Sequence, residues 1–483
     1  MHPENFIEST AVEQGFNCEK LCKLLSHIKS GSHKLQSLVI LRNGRLVMNV
    51  QAFPFYDDVP RYINCCTESI ISALAGIAIG EGLLKGVDDR VSDYFPEYAP
   101  VFDSETEGNE KPKRMITLEH LLTMTAGLEW NDTRVIYGEN SYDSRMHASE
   151  DPVRFILEQP MGEEPGKRYN HCLGAMHLLS AILQKASGRS VADYAELRLF
   201  KPLGITPVEW AMDKNGIHCG NGISMPTWGL AKIGQLYLQK GRWGDTQIIP
   251  EAWVSLSTKK HMDTPEGPWS FYGCGYQWNI NRFGGYSSKG VNGQYLAVVP
   301  NLNLVVVMSS PLPLDQFYWY ETLMETFIIP SARFPGPRQT GFKAQSLLEE
   351  AIDDFVRPPL PQSVPPLPGI SKKISGKEFI FKPGSHLDKL SFHFNARGKC
   401  HMKVWSNNEL NEVSIGLDDV YRISGKEAFK GTWENDCTLA VKVLNLQFNY
   451  ELMYLFVFDG DKLCHEIHSP GWGLCERIEG FIS

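Results

Sequence analysis

The residues of this sequence whose types and spacing suggest chemistry most directly are Cys65 and Glu68, three positions apart. The apolar run from Thr67 to Gly82 predicts a helix buried on several faces, and residues i and i+3 of a helix share one side. The helix dipole favours a thiolate in the first turn, whereas a lone carboxylate beside the thiol opposes its ionisation. An imidazole between the two side chains would remove this conflict, because Glu68 would stabilise the imidazolium and the imidazolium would stabilise the thiolate.

The elements that must position this helix are those of a mixed α and β domain. Residues 38–47 predict a hairpin with an Asn43-Gly44 turn, and the apolar residues 297–308 predict a second hairpin in a buried sheet. Residues 178–186 predict a further helix that Ser187 and Gly188 close. Strands at both ends with helices between them indicate an α+β fold, in which one antiparallel sheet is flanked by helices and carries a helical insertion.

A proline-rich stretch divides the chain. Six prolines between Arg357 and Gly369 favour an extended, semi-rigid linker. The short β-type runs that follow, punctuated by Gly, Asn and Asp, predict an all-β sandwich or barrel of about 110 residues. We therefore predict a first domain over residues 1–345, a linker over 346–372 and a C-terminal all-β domain over 373–483.

Composition and charge argue against several classes of function. The 483 residues carry 47 Lys and Arg against 56 Asp and Glu, a net charge of −9, with no long basic run. Neither nucleic acid nor a membrane surface is therefore an expected partner. No basic start is followed by an apolar stretch, and the longest apolar run, residues 70–79, is far short of the roughly 20 residues of a membrane helix. The eleven cysteines show no metal-type pairing, so we expect reduced thiols and a cytoplasmic location.

Several segments in order resemble the serine β-lactamase and penicillin-binding-protein superfamily, most of all its class C-like esterase and 6-aminohexanoate-dimer-hydrolase branch. They include Ile-Asn-Cys-Cys-Thr-Glu-Ser at 63–69, Leu-Phe-Lys-Pro-Leu-Gly-Ile at 199–205 and Tyr-Gly-Cys-Gly-Tyr-Gln-Trp at 272–278, with further matches at 73–82, 91–97, 116–128, 249–253 and 293–295. The resemblance implies a β-lactamase-like fold and acyl transfer on amides and esters. In this family a Ser at the start of a buried helix is the nucleophile, a Lys follows three residues on, a Tyr of the helical insertion moves the proton, and two backbone N–H groups meet the oxyanion.

This sequence departs from the family pattern at each motif. The Ser position holds Cys65 and the Lys position holds Glu68. In an alignment without a gap, His171 takes the Tyr position and Tyr169 takes the aromatic position before it. A rival alignment with an insertion makes Tyr169 the catalytic tyrosine. The third motif becomes Val291-Asn292-Gly293, of which only the glycine matches.

Cys, His and Glu are together the members of a thiol triad, and random decay has no reason to select that set. We predict that Cys65 attacks a carbonyl, that His171 accepts and returns the proton, and that Glu68 holds the histidine tautomer. By family analogy the backbone N–H groups of Cys65 and Gln294 meet the oxyanion. The resulting thioester passes to water, an amine or an alcohol. The predicted substrate is a small-molecule or peptide-like amide or ester, and no cofactor is implied.

Two other interpretations stay open. Loss of the family's Ser and Lys also fits a catalytically inactive protein that keeps the fold as a scaffold or binding module. Cys65, Glu68 and His171, with or without Cys172, are also zinc ligand types. Against a metal, Cys172 adjoins His171 and need not face inward, so our prediction for this site is no metal.

The other candidate residues either could line the substrate site or are expected to have structural roles. Residues that could line the substrate site are Tyr169, Trp130, Trp228, Tyr272, Asn292 and Gly293. Lys289 stands two residues early for a Lys-Thr-Gly motif and is a candidate contact for a substrate carboxylate. Cys66, His120 and His177 are expected to be structural. His465 and His468 belong to the β domain and have no partner motif.

Overall fold

The computed structural model describes residues 6–57, 59–103, 112–131, 141–265, 272–312, 316, 318–333, 341–395, 399–407, 409–448, 450–469 and 473–482. The first five residues lie outside the described residues. They include the start of the chain, where the sequence shows no basic segment followed by an apolar one. The chain divides into two compact units, Met1–Val50 with Tyr62–Phe355 and Gln51–Arg61 with Val356–Ser483. Residues 51–61, which the sequence assigns to the first domain, therefore group with the second unit.

The helices and strands follow one another along the chain with 3₁₀ and π-helical turns between some of them. The helices are α1 (Cys18–Ser30), α2 (Cys66–Gly80), α3 (Val91–Tyr94), α4 (Ala99–Phe102), α5 (Leu118–Leu122), α6 (Tyr142–Ala148), α7 (Pro152–Glu158), α8 (Leu173–Ser187), α9 (Val191–Ala195), α10 (Lys201–Leu203), α11 (Thr227–Leu238), α12 (Glu251–Ser257), α13 (Tyr318–Leu323), α14 (Ile329–Ala332), α15 (Gly341–Val356) and α16 (Gly369–Ile374). The strands are β1 (Ile7–Glu8), β2 (Ser37–Arg42), β3 (Arg45–Gln51), β4 (Arg61–Tyr62), β5 (Glu209–Met212), β6 (His218–Met225), β7 (Arg242–Trp243), β8 (Thr246–Gln247), β9 (Asn279–Ile280), β10 (Tyr286–Gly290), β11 (Gln294–Val299), β12 (Leu304–Ser309), β13 (Glu378–Phe381), β14 (Lys389–Phe394), β15 (Cys400–Ser406), β16 (Glu409–Ile415), β17 (Arg422–Ser424), β18 (Glu427–Asn435), β19 (Thr438–Asn445), β20 (Glu451–Asp459), β21 (Lys462–Ser469) and β22 (Gly473–Ile482).

The first unit is built on a seven-stranded sheet in the order β1-β3-β2-β12-β11-β10-β9. Both predicted hairpins are present in it, and β2 pairs directly with β12 in antiparallel register. The first hairpin turns at Asn43 and Gly44, which have φ values of 53° and 73°, as an Asn-Gly turn requires. Since these hairpins come from opposite ends of the unit's sequence, the helices between them form an insertion. This confirms the predicted α+β fold.

Helix α2 is enclosed, as its all-round apolar sequence predicts. Every residue from Cys66 to Ala78 is buried, and α2 packs against α8, β6 and β10. Gly76 lies against Trp253, because a Cβ atom there would be 2.2 Å from the indole ring. Helix α8, the second predicted helix, ends at Gly188 in the left-handed conformation with φ 65°, as a glycine C-cap does. The buried helices α2 and α8 therefore pack against each other inside the first unit.

The predicted linker contains regular structure at both ends. Helix α15 extends through Val356 and α16 begins at Gly369, whereas residues 357–368 form neither helix nor strand. Proline explains the difference, because it lacks a backbone N–H group and forces the residue before it into an extended conformation. The extended part of the linker is therefore confined to the proline cluster.

The second unit confirms the predicted all-β fold. Ten strands among the described residues of this unit form one sheet in the order β16-β15-β14-β13-β22-β21-β20-β19-β18-β17. A bridge between Gly416, just after β16, and Lys430 of β18 brings the two ends of the sheet together, so the sheet is barrel-like. The segment 51–61 joins this unit through Val59, which packs with Ala428 and Leu446.

His465 in the second unit makes the stability of this protein sensitive to acid. The side chain is buried and stacks on Phe456 at a centroid distance of 4.6 Å. Burial, with a smaller contribution from nearby His386, lowers the pKa of His465 from 6.5 to about 4. Because the unfolded chain then binds more protons between these values, the contribution of His465 to the free energy of unfolding is complete above about pH 6.5 and is lost as the pH falls towards 4.

We expect the native chain to lose about 2 to 3 kcal/mol between pH 7 and pH 4.5 through this residue alone. The His465→Phe variant keeps an aromatic ring against Phe456 and should lack this loss in urea unfolding. His393→Phe is the matched control, because His393 lies exposed on β14 of the same unit. An equal acid response in the native chain and the His465→Phe variant would contradict the assignment.

Candidate active site

The structure brings Cys65, Glu68 and His171 together. The Cys65 sulfur, one Glu68 carboxylate oxygen and one His171 ring nitrogen all lie within 4.8 Å of one another. The His171 Nε2 atom is 3.5 Å from Glu68 Oε1. Cys65 is the N-cap of α2 and Glu68 lies in its first turn, whereas His171 comes from the segment just before α8. The site therefore draws its groups from two elements that pack against each other.

The turn before α2 fixes the position of Cys65. Asn64 adopts φ 48°, a left-handed conformation that asparagine tolerates, and its side-chain amide donates a hydrogen bond of 2.7 Å to the Val291 carbonyl. The end of β10 lies close to this turn, because a Cβ atom on Gly290 would be 2.4 Å from the Ile63 carbonyl oxygen. The sequence interpretation missed Asn64, whose signal was its place directly before the predicted nucleophile.

Glu68 is the most enclosed member of the site. Its side chain is 7% exposed, against 26% for His171. Glu68 Oε1 is buried and makes no hydrogen bond within the described part of the chain. A buried carboxylate oxygen without a hydrogen bond is unfavourable unless a cation offsets its charge. The His171 ring nitrogen at 3.5 Å can offset it when the imidazole is protonated.

Tyr169 belongs to the same site. Burial raises the pKa of its hydroxyl well above the ordinary value of 10, and the nearby Cys274, Glu68 and Cys65 raise it further. The hydroxyl is therefore neutral at pH 7 and can donate a hydrogen bond, but it is a poor proton acceptor. Cys274 is a neighbour that the sequence interpretation did not single out. Burial raises the pKa of its thiol to about 12, so it stays protonated.

The loop between β10 and β11 lies beside the turn that holds Cys65, through the bond from Asn64 to Val291. Asn292 and Gly293 have φ values of 61° and 78°, and a Cβ atom on Gly293 would be 1.8 Å from the Ser310 carbonyl oxygen. Only glycine fits there, which explains why this one residue of the third motif is retained. Gln294 is buried and pairs in the sheet with Gly290 and Ser309, and its place in an oxyanion hole stays a prediction.

The aromatic residues predicted to line the site have different surroundings. Trp130 is buried and packs against Tyr142 and Phe155. Trp228 is partly buried, with the Lys232 ammonium 4.7 Å from its ring centroid. Tyr272 is 61% exposed. Their contact with a substrate stays a prediction.

Lys289 is engaged inside the fold. Its ammonium lies 2.5 Å from Glu321 Oε1, and its side chain is 3% exposed. The preceding residue, Ser288, faces α2 and bonds to the Ser69 hydroxyl at 2.7 Å. Because neighbouring strand residues point to opposite faces, Lys289 projects away from α2. This position does not suit the contact with a substrate carboxylate that its place in the sequence suggested.

The remaining candidates have structural surroundings. Cys66 is fully buried, which raises the pKa of its thiol to about 12. His120 forms a capping box with Thr117 at the start of α5. His177 Nε2 lies 3.0 Å from Asp213 Oδ2 in the core. Cys172 is the buried N-cap of α8 and is not a member of the three-residue group within the described residues.

The fold agrees with what comparison with known proteins shows. The Beta-lactamase family model matches residues 36–313, which is more than half of the chain, and the chain belongs to this family. Within the described part of the chain, no helix is both long and apolar enough to cross a membrane.

Two relatives are hydrolases by name. The chain is 26% identical to the lovastatin esterase of Penicillium rubens over 158 residues, which are 31% of this chain and 39% of that protein. It is 22% identical to the 6-aminohexanoate-dimer hydrolase of Paenarthrobacter ureafaciens over 300 residues, 59% of this chain and 74% of that protein. The structure of EstCE1, a hydrolase with promiscuous acyltransferase activity, shares the fold with a TM-score of 0.52 and 16% identity, over 64% of this chain and 99% of that one. The match to the lovastatin esterase, in contrast, spans only 39% of that protein's length.

Proposed function

We propose that this protein is an amide or ester hydrolase or acyltransferase that works through a thioester on Cys65. The observation that carries the proposal is the meeting of a thiol, an imidazole and a carboxylate within 4.8 Å at the N-terminus of a buried helix. Hydrolases among the relatives of this family support the reaction class. A small-molecule or peptide-like acyl compound is the proposed substrate.

In the proposed mechanism His171 takes the thiol proton of Cys65, and the sulfur attacks the carbonyl carbon. The C–N or C–O bond then breaks, and His171 returns the proton to the leaving amine or alcohol. Water, an amine or an alcohol attacks the thioester in the second half-reaction, and His171 takes its proton. The C–S bond then breaks, and His171 returns the proton to the Cys65 sulfur. Glu68 is a positioning residue whose buried charge stabilises the imidazolium in both steps.

In the proposed mechanism, two backbone N–H groups form the oxyanion hole. That of Cys65 lies at the start of α2, where the helix dipole also favours negative charge. That of Gln294 is proposed from family analogy, and the loop before it is held near the Cys65 turn by the bond from Asn64 to Val291. Together they would stabilise the oxyanion that forms when sulfur adds to the carbonyl.

Labelling by iodoacetamide tests the nucleophile before any substrate is known. At pH 7 we expect Cys65 to react at least about tenfold faster than exposed Cys437, because its thiol shares a site with an imidazole and a helix N-terminus. Peptide mass spectrometry measures both rates in one sample. The His171→Ala variant should lose the advantage, while Cys437→Ala should keep it. A correctly folded native chain in which Cys65 reacts no faster than Cys437 would favour the scaffold interpretation instead.

The Tyr169→Phe variant separates the two alignments of the second motif. If His171 is the base, removal of the neutral Tyr169 hydroxyl should lower kcat/KM by no more than about tenfold, the loss of one hydrogen bond. The comparison is with His171→Ala, and hydrolysis of a short-chain nitrophenyl ester provides the measurement. A larger loss in Tyr169→Phe than in His171→Ala would assign the proton transfer to Tyr169.

A further inference from the structure

We propose that Cys65, Glu68 and His171 also bind one Zn²⁺ ion reversibly and that the bound ion switches the activity off. This inference rests on the proposed function, because it concerns regulation of the same site. The three side chains offer sulfur, oxygen and nitrogen, which are the zinc ligands found in proteins. In the described part of the chain, these three residues form a group in which one possible ligand atom from each side chain lies within 4.8 Å of the other two.

The distance between Glu68 and His171 fits two ligands of one ion. Their 3.5 Å separation is longer than the usual N–H···O hydrogen bond of about 2.9 Å. Two ligands at zinc bond lengths of about 2.0–2.2 Å and tetrahedral angles are about 3.4 Å apart. With a Zn–S distance of about 2.3 Å, the sulfur and either of the other two ligand atoms would be about 3.6 Å apart. Since one ligand atom from each of the three residues lies within 4.8 Å of the others, the Cys65 sulfur would have to approach by about 1.2 Å at most to complete the third corner.

A second observation is the buried Glu68 oxygen. Glu68 Oε1 has no hydrogen-bond donor among the described residues, and a metal ion would supply the positive charge that it lacks. Cys65 and His171 are partly exposed, so water can occupy the fourth position of the ion. The site would then have three protein ligands and one water, an arrangement that zinc accepts.

Zinc in this position would inhibit the proposed reaction by occupying both of its active groups. The ion would occupy the Cys65 thiolate and hold the His171 ring by one of its nitrogens, so that neither group could act in the acyl transfer. Binding displaces the thiol proton to the buffer, so one proton per ion leaves the protein where His171 is neutral. Removal of the ion by a chelator would return Cys65 and His171 to their metal-free state.

Isothermal titration of the metal-free full chain with ZnCl₂ tests the site. We expect one ion per chain, with proton release that is visible as a dependence of the heat on the buffer. Cys65→Ala and His171→Ala should each weaken binding by more than about 100-fold, because loss of a ligand exceeds the loss from a supporting residue. Cys437→Ala should bind zinc like the native chain. Absence of binding, or equal binding in all four proteins, would overturn the inference, with circular dichroism showing that each variant is folded.

Two further readouts separate this inference from the proposed function. Zinc should protect Cys65 from iodoacetamide and stop ester hydrolysis, and a chelator should reverse both effects. If Cys65 is labelled and drives turnover with zinc present, the metal inference is wrong and the proposed function stands. If zinc binds at the three residues but Cys65→Ala retains full turnover, the proposed function is wrong. A metal-free chain that is inactive until zinc is added would overturn the inhibitory role.

Discussion

Replacement of Cys65 by alanine is expected to lower kcat/KM for a short-chain nitrophenyl ester by about 10⁴-fold or more, as loss of a covalent nucleophile does. The reason is that the two other thiols near Cys65, those of Cys66 and Cys274, are not ready nucleophiles. Cys66 is directed into the core, and the neighbouring Cys274 has a thiol pKa of about 12. Steady-state kinetics of the purified variant, checked for folding by circular dichroism, provides the measurement.

The members of the proposed triad act together, so single and double variants should be compared. Cys65→Ala and His171→Ala should each cost about as much as the double variant, because groups that act as a unit lose their effect together. Cys65→Ser should remain at least about 100-fold below the native chain, since a serine hydroxyl ionises far less readily than a thiol and Glu68 stands where the family has its lysine. Cys437→Ala should leave kcat/KM unchanged. Full turnover by Cys65→Ala would rule out the thioester mechanism.

Much of the candidate site could be predicted because its members lie on strongly patterned elements. The spacing of Cys65 and Glu68 on an apolar helix places them on one face, and the structure has their donor atoms within 4.8 Å of each other. The approach of His171 depends on how the insertion packs against α2, which only the family resemblance could suggest. Asn64 adjoins Cys65 in the sequence, but its hydrogen bond to Val291 depends on packing across the fold. The position of Cys274 near Tyr169 depends on such packing as well, and no local sequence pattern relates Cys274 to Cys65.

The fold shows the same division between local and long-range information. Both hairpins and the buried helices follow from turn residues and apolar periodicity, which are local signals. The assignment of residues 51–61 to the second unit depends on contacts such as Tyr56 with Gly425, which are 369 positions apart. Helix α15 extends to Val356, inside the predicted linker, because the helix ends only where the proline cluster begins. Short-range patterns therefore predict the elements, and long-range packing decides which unit each joins.

The largest stability effect outside the site is expected from Glu321, the partner of Lys289. Glu321→Gln would leave the Lys289 ammonium, 3% exposed, without its carboxylate. Burial already lowers the pKa of Lys289, and Glu321 opposes that effect, so its removal should lower the pKa further. Breaking a buried ion pair from one side costs about 3 to 5 kcal/mol, which urea unfolding of the full chain would measure.

The double variant Lys289→Met with Glu321→Gln should recover most of that loss, because a buried pair replaced as a whole leaves no uncompensated charge. A similar loss in the single and double variants would show that the pair is not the source of the stability. Lys289 projects from the sheet face opposite Ser288 and α2, so the labelling rate of Cys65 in the folded double variant should equal that of the native chain. A change in that rate would instead connect Lys289 to the site through the end of β10, where Gly290 touches the turn that carries Cys65.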